Sequence, residues 1–256
     1  MPWSVALPGL AVALVAFTLL WGLSVKLRDA SIVDPFWGPG FLLVAVTYFL
    51  VDGSDGTRGR IVVLLVSFWA VRLGYHLLVR NRKEGEDKRY RQMREARGDA
   101  FWWQSLFTIF WLQAVLLWII SAPLLGSIVS DAPLNLWDVA GALFFAVGLS
   151  FEAVADSQLA RFKAHPANEG KVLDTGLWRY SRHPNYFGEA VLWWGFYLFA
   201  VGGGAYWTVV GPILITFLLL KVSGVTMLEE NLKSSKPGYE EYVRKTNAFV
   251  PWPPEG

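Results

Sequence analysis

No cysteine occurs in the 256 residues, which excludes disulfides, thiolate nucleophiles, Cys-ligated zinc and iron–sulfur clusters. Histidine is nearly as scarce: His76, His165 and His183 are the three in the chain and lie far apart, so no metal centre is expected. Charge is in short supply too. Charged residues make up 17% of the chain, against about 25% in an average soluble domain, and residues 1–25, 100–130 and 190–220 hold none. What remains is apolar: 54% of the sequence, with 14 tryptophans, a residue suited to anchoring helix ends in a lipid interface.

About 20 apolar residues cross the hydrocarbon core of a bilayer. Spans are expected at about 5–25, 35–51, 61–79, 103–124 and 136–155. The first is too long for a signal peptide's apolar region and has no basic stretch before it, so cleavage is not expected. The run 190–220 would extend about 46 Å as one helix. Gly202-Gly-Gly204 lies near its middle, so it reads better as two spans, 186–201 and 205–222. The expectation is an all-α, polytopic integral membrane protein of seven transmembrane helices, forming one membrane domain over 1–256.

Seven crossings would put twenty Lys/Arg on one side and only Arg58 and Arg60 on the other, with Arg72 inside the third span. The positive-inside rule then sets the N-terminus outside and the C-terminus in the cytoplasm. Topology and anionic lipid account for the basic residues, so the lipid bilayer is an expected partner and nucleic acid is not.

Ionisable side chains within or capping such spans face a cavity or a partner, and they fall into four groups. Asp34 precedes Pro35 and reads either as a helix N-cap or as a group at the mouth of a substrate cavity. Arg72, Tyr75 and His76 share neighbouring helical lines, so Tyr75 is a candidate donor to a substrate oxygen; alternatively Arg72 snorkels and His76 packs at the interface. The basic segment 80–97 beyond reads as a cytoplasmic amphipathic helix with Tyr90 as an interface anchor. In the third group Glu152 and Asp156 are i,i+4 acceptors, followed by Gln158, Arg161 and Lys163.

The fourth group runs from Lys171 to Glu189. Pro184 reads as the first residue of a helix in which Asn185, Glu189 and Trp193 recur every four residues. Arg179, Arg182 and His183 gather before its N-terminus, where the helix dipole favours an anion. Gly188 would let a flat ligand or another helix approach the backbone. Basic groups for a phosphate, then amide and carboxylate groups one turn inward, describe a nucleotide site. Gly202-Gly-Gly204 lacks the spacing and context of a soluble dinucleotide fingerprint.

The segment Gly176-Leu-Trp-Arg-Tyr-Ser-Arg-His-Pro-Asn-Tyr-Phe-Gly-Glu189 resembles the signature of the steroid 5-alpha-reductase family and its bacterial relatives, and Pro237 to Pro251 looks like that family's closing motif. The resemblance covers 151–256 firmly, as a cofactor-binding region, and the remainder loosely. It implies a multi-pass enzyme of the bacterial inner membrane that binds NADPH on the cytoplasmic side. Such an enzyme reduces a carbon–carbon double bond conjugated to a ketone in a hydrophobic small molecule, such as a 3-oxo-4-ene steroid. Cofactor contacts would fall to Asp156, Arg161, Lys171, Arg179, Arg182, His183, Asn185, Tyr186, Tyr239 and Arg244, with Glu189 beside the nicotinamide. Tyr75, helped by Asp34 or Glu189, would serve the ketone oxygen. The Arg182-His183-Pro184 step also resembles S-adenosylmethionine-dependent isoprenylcysteine carboxyl methyltransferases, the alternative reading.

Overall fold

The computed structural model describes residues 2–53, 55–222 and 237–254. Regular structure among them is helical throughout, the form in which an apolar segment satisfies its own backbone groups in lipid. The helices are α1 (Trp3–Leu27), α2 (Val33–Asp52), α3 (Thr57–Glu84), α4 (Lys88–Arg97), α5 (Phe101–Ser105), α6 (Leu112–Ile120), α7 (Ala122–Ile128), α8 (Leu136–Ala164), α9 (Pro184–Gly202), α10 (Val210–Phe217) and α11 (Tyr239–Lys245). A π-helical stretch, Leu106–Trp111, joins α5 to α6, and a second, Leu218–Val222, follows α10.

Among the described residues five helical runs, not seven, are long and apolar enough to cross a membrane: Trp3–Leu27, Ala30–Asp52, Thr57–Asn81, Lys88–Ile120 and Leu136–Ala164. The expected sixth span falls in α9, whose first two turns carry Asn185, Tyr186 and Glu189 and so dilute its apolar length. The expected seventh is the shorter apolar piece Tyr206–Val222, broken into 3-10, α and π stretches. At 1.5 Å per residue it reaches about 25 Å, less than the roughly 30 Å hydrocarbon core. The charge asymmetry presupposes seven crossings, so without them it assigns neither terminus to a side.

The chain divides into two compact units, Met1–Asn135 with Phe199–Thr208, and Leu136–Leu198 with Val209–Gly256. In the first, α2 meets α3 at small residues. A Cβ on Gly38 would lie 2.7 Å from the Ala70 carbonyl oxygen, and one on Gly74 would lie 3.1 Å from Pro39. Close backbone approach of this kind is how helices associate where lipid removes the hydrophobic driving force. Helix α1 runs antiparallel to the α5–α6 segment, stitched by indole N–H groups: Trp21 donates to the Trp102 carbonyl (2.7 Å), Trp111 to Thr18 Oγ1 (2.9 Å) and Trp118 to the Ala6 carbonyl (2.9 Å). Phe17, Phe41, Trp69, Phe110 and Leu117 fill the interior.

The Lys88–Ile120 run is not straight. Tyr90 Oη lies 3.4 Å from Gln113 Nε2 across 23 residues, which a straight helix would hold about 34 Å apart. The reversal sits at Gly98, whose φ of +54° is open to glycine without strain. Helix α4 therefore folds back along the unit, and the apolar part of the run starts at Phe101.

At the start of α3, Arg58 is 1% exposed and donates to Ser130 Oγ (3.0 Å) and to the carbonyls of Ala132 (3.0 Å), Pro133 (2.9 Å) and Gly202 (3.0 Å). One side chain thus ties three chain segments of this unit together.

In the second unit α8 and α9 cross antiparallel at glycines. A Cβ on Gly188 would lie 2.5 Å from the Glu152 nitrogen and the Gly148 carbonyl oxygen, and one on Gly195 would lie 2.8 Å from the Gly141 carbonyl oxygen. Gly188 therefore admits a helix, not a flat ligand.

Candidate functional site

Two polar clusters stand out, one in each unit. The first centres on Asp34. The 3-10 turn Ala30–Ile32 is capped by Asp29, whose carboxylate accepts from Ser31 N (2.8 Å), and this moves the start of α2 upstream to Val33. Asp34 consequently lies in the first turn and is not the N-cap. Its carboxylate accepts from side chains instead, Tyr90 Oη at 2.8 Å and Arg89 at 3.2 Å.

Both partners come from the folded-back α4. The Tyr90 oxygen accepts from Gln113 Nε2 at 3.4 Å, and Gln113 Oε1 accepts from the Trp37 indole at 2.5 Å. Arg89 is held mainly by Asp87, through Nε (3.0 Å), a second guanidinium nitrogen (3.1 Å) and its own backbone N–H (2.9 Å). Burial pushes the Asp87 carboxyl up, but the hydrogen bonds from Arg89 outweigh it and hold it below the usual value. Glu86 closes this end of the unit, accepting from Ala30 N (2.9 Å) and Arg94 (2.6 Å). The phenol beside Asp34 is thus Tyr90; Tyr75 is 70% exposed on the outer face of α3.

The second cluster lies where α8 meets the start of α9, which begins at Pro184 as the sequence leads one to expect. Glu152 and Asp156 are buried, at 2% and 7% exposure. Asn185 donates to Asp156 (3.1 Å), while its Oδ1 is buried and has no hydrogen-bond partner among the described residues. His183, 3% exposed, stacks parallel on Tyr186 with ring centroids 5.6 Å apart. Glu189 is half-buried one turn further along.

The loop before α9 is bound to the C-terminal segment. Arg182 donates to the carbonyls of Val243 (3.1 Å) and Thr246, Tyr242 donates to the Trp178 carbonyl (2.5 Å), and Trp252 N donates to the Tyr180 carbonyl (2.9 Å). The guanidinium of Arg182 is therefore engaged in holding the tail. Tyr239 is buried with its ring 5.9 Å from that of Tyr242. Arg179 and Arg244 are exposed at this end, where Thr246 Oγ1 donates to the Arg179 carbonyl (3.5 Å). Arg161, in the last turn of α8, and Lys171 are also exposed. No group of three His, Asp or Glu side chains is placed to hold a metal among the described residues.

Asp156, Asn185, His183, Tyr186 and Glu189 are thus brought together, whereas Tyr75, Arg161 and Lys171 are exposed. The sequence reading misses Arg89, Gln113 and Trp37 and gives Tyr90 only an anchoring role. No periodicity links Arg89, Tyr90 or Gln113 to Asp34, because the fold-back at Gly98 brings them there, whereas Trp37 stands at i+3 from Asp34 on α2. A second signal is Gln113 itself, an amide side chain in the middle of the span, away from Gln104, Ser105 and Thr108 at its start and Ser121 at its end.

A protein of Schizosaccharomyces pombe, the uncharacterized protein C594.04c, is 26% identical over a 273-residue alignment covering 95% of this chain and 78% of that protein. No solved structure matches the chain. The family described as protein of unknown function (DUF1295) matches residues 20–246, so the chain belongs to the DUF1295 family.

Proposed function

We propose that this chain is a multi-pass membrane oxidoreductase that uses NADPH to reduce a carbon–carbon double bond conjugated to a ketone in a hydrophobic, 3-oxo-4-ene steroid-like substrate. In this reading it resides in a bacterial inner membrane with its cofactor residues toward the cytoplasm. The observation that carries it is the Asp34–Tyr90 pair: a phenol that is 6% exposed, held on a carboxylate at 2.8 Å.

Reduction of an enone builds negative charge on the ketone oxygen, and a pre-aimed phenolic donor stabilises that charge at little reorganisation cost. Tyr90 is that donor. Asp34 sets its direction: by accepting from the hydroxyl at 2.8 Å it holds the proton on the side from which the ketone arrives. Arg89, bonded to Asp87 at three points, also donates to Asp34 at 3.2 Å and steadies the carboxylate that aims the phenol. The alpha carbon receives its proton from solvent.

The second unit supports the choice of cofactor through one orphaned atom. The buried Asn185 Oδ1, which has no partner among the described residues, is the acceptor that a carboxamide N–H would satisfy. Asn185, Asp156 and Glu189 would hold the nicotinamide end, and the exposed guanidinium groups of Arg179 and Arg244 the phosphates. The chemistry NADPH supplies when bound is a hydride.

Detergent-purified protein given NADPH and a 3-oxo-4-ene steroid should consume NADPH absorbance in step with loss of the enone. Binding of S-adenosylmethionine without binding of NADPH would replace this reading with the methyltransferase one.

A further inference from the structure

The hydrogen bonds behind Tyr90 run in one direction. An indole N–H is a donor only, so the Gln113 atom 2.5 Å from Trp37 Nε1 must be its amide oxygen. The other end of the amide is then NH2, and it faces the Tyr90 oxygen at 3.4 Å. Rotating the amide would set two donors against each other, so the amide has one orientation here. A phenolic hydroxyl prefers the plane of its ring and so has two good orientations. Gln113 occupies the oxygen on one side, and the proton is left on the side of Asp34, 2.8 Å away.

A second feature points to the same residue. The π-helical stretch Leu106–Trp111 directly precedes α6. One extra residue in a helical turn rotates everything after it by about 100°. Gln113, the second residue of α6, is the first polar side chain beyond it.

We infer that Trp37 and Gln113 are positioning residues that fix the direction of the Tyr90 hydroxyl, so that a ketone oxygen arriving on the Asp34 side meets a proton. This rests on the reading of Asp34 and Tyr90 as the ketone-holding pair, and it adds two residues to that site, Trp37 from the same helix as Asp34 and Gln113 from α6. Trp37 acts only through Gln113. Without the indole N–H the amide is free to turn its oxygen toward Tyr90 and draw the phenol proton the wrong way.

The test combines a double-mutant cycle with a readout that needs no substrate. Trp37→Phe and Gln113→Met should each lower kcat for enone reduction by about 10-fold with KM little changed, a loss of about 1.4 kcal/mol in the transition state. The double variant should be no worse than Gln113→Met alone; additive losses would overturn the proposal. In 15N-indole and 13C-tyrosine NMR spectra, the Trp37 signal is the one absent from Trp37→Phe and the Tyr90 signal the one absent from Tyr90→Phe. Gln113→Met should shift both, and Trp37→Phe should shift that of Tyr90. Unmoved signals in folded variants would overturn the proposal whatever the activity. If the signals move but wild-type protein reduces no enone, the orientation relay stands and the substrate reading is what fails.

Discussion

Tyr90 donates to the Asp34 carboxylate across 2.8 Å although 56 residues separate them in the chain. Two features make that contact. Asp29 caps the turn before α2, which frees the Asp34 carboxylate from backbone capping, and the reversal at Gly98 carries α4 back over the unit. Ser31 links the two loops concerned: its carbonyl accepts from Asn81 (3.2 Å) and its Oγ from Asp87 N (3.2 Å).

Tyr90→Phe removes the proposed donor with almost no change of volume. NADPH-dependent reduction of a 3-oxo-4-ene steroid should fall by about 10²-fold, the size of effect seen when one oxyanion donor is lost. Tyr75→Phe alters a side chain that is 70% exposed and should leave the rate within about twofold, as a surface substitution does. Rates measured by NADPH absorbance separate the two tyrosines, and the reverse ranking would return the role to Tyr75.

Much of the helical layout is legible in the sequence because uncharged runs of sufficient length have one good solution in lipid. The run expected at 5–25 is α1, and Pro184 opens α9, since its missing N–H is harmless in a first turn. The site is less legible. Nothing near Asp34 in sequence announces Tyr90 or Gln113, and i,i+3 and i,i+4 rules compare residues on one helix only. They therefore favoured Tyr75 with Arg72 and His76. Arg58 entered the sequence reading as a topology charge, and its burial follows from carbonyl acceptors at Ala132, Pro133 and Gly202 that no motif marks.

Arg58→Met should lower the melting temperature in detergent sharply. It takes this donor from Ser130 Oγ and three backbone carbonyls, of which Gly202 keeps a bond from Asn135 at 2.9 Å, and costs about 1–3 kcal/mol for each buried group left unsatisfied. Arg58→Lys should recover only part of the loss, because an ammonium has three donors and no planar fork. An unchanged melting temperature in Arg58→Met would show that water replaces the guanidinium.

Asp87 supplies a dependence on pH whose sign is fixed by its bonds to Arg89. A carboxyl held below its usual value in the folded protein stabilises it above the unfolded value, near pH 4, and that stabilisation is lost as pH falls through the folded one. Melting temperature should therefore drop more steeply on acidification in wild type than in Asp87→Asn, which is already weakened at neutral pH. Parallel acid limbs would remove Asp87 from the attachment of α4.

Gly188→Ala tests whether that glycine serves helix packing. The new methyl would stand 2.5 Å from backbone atoms of Glu152 and Gly148, so α8 and α9 must separate, at about 1–3 kcal/mol. Gly22→Ala, where a Cβ meets nothing within 4 Å, should be neutral or slightly stabilising because alanine favours the helix. Thermal melts without added cofactor distinguish the two. Equal melting temperatures would reopen the ligand-approach reading.

Asn185→Leu addresses the cofactor most directly. It keeps the approximate size of the side chain, removes the buried acceptor that has no partner among the described residues, and takes one donor from Asp156. If that acceptor meets the carboxamide of NADPH, the variant should bind NADPH about 10-fold or more weakly, a change of about 1.4 kcal/mol. Its affinity for 2'-phospho-ADP-ribose, which lacks the nicotinamide, should be unchanged. Arg179→Ala should give the opposite pattern if its exposed guanidinium holds the 2'-phosphate: affinity for the two ligands that carry a 2'-phosphate falls, and that for NADH does not. Calorimetric titration of the two variants with the three ligands measures all six affinities. Equal losses of NADPH and 2'-phospho-ADP-ribose in Asn185→Leu would place Asn185 away from the nicotinamide and leave its orphaned oxygen to some other donor.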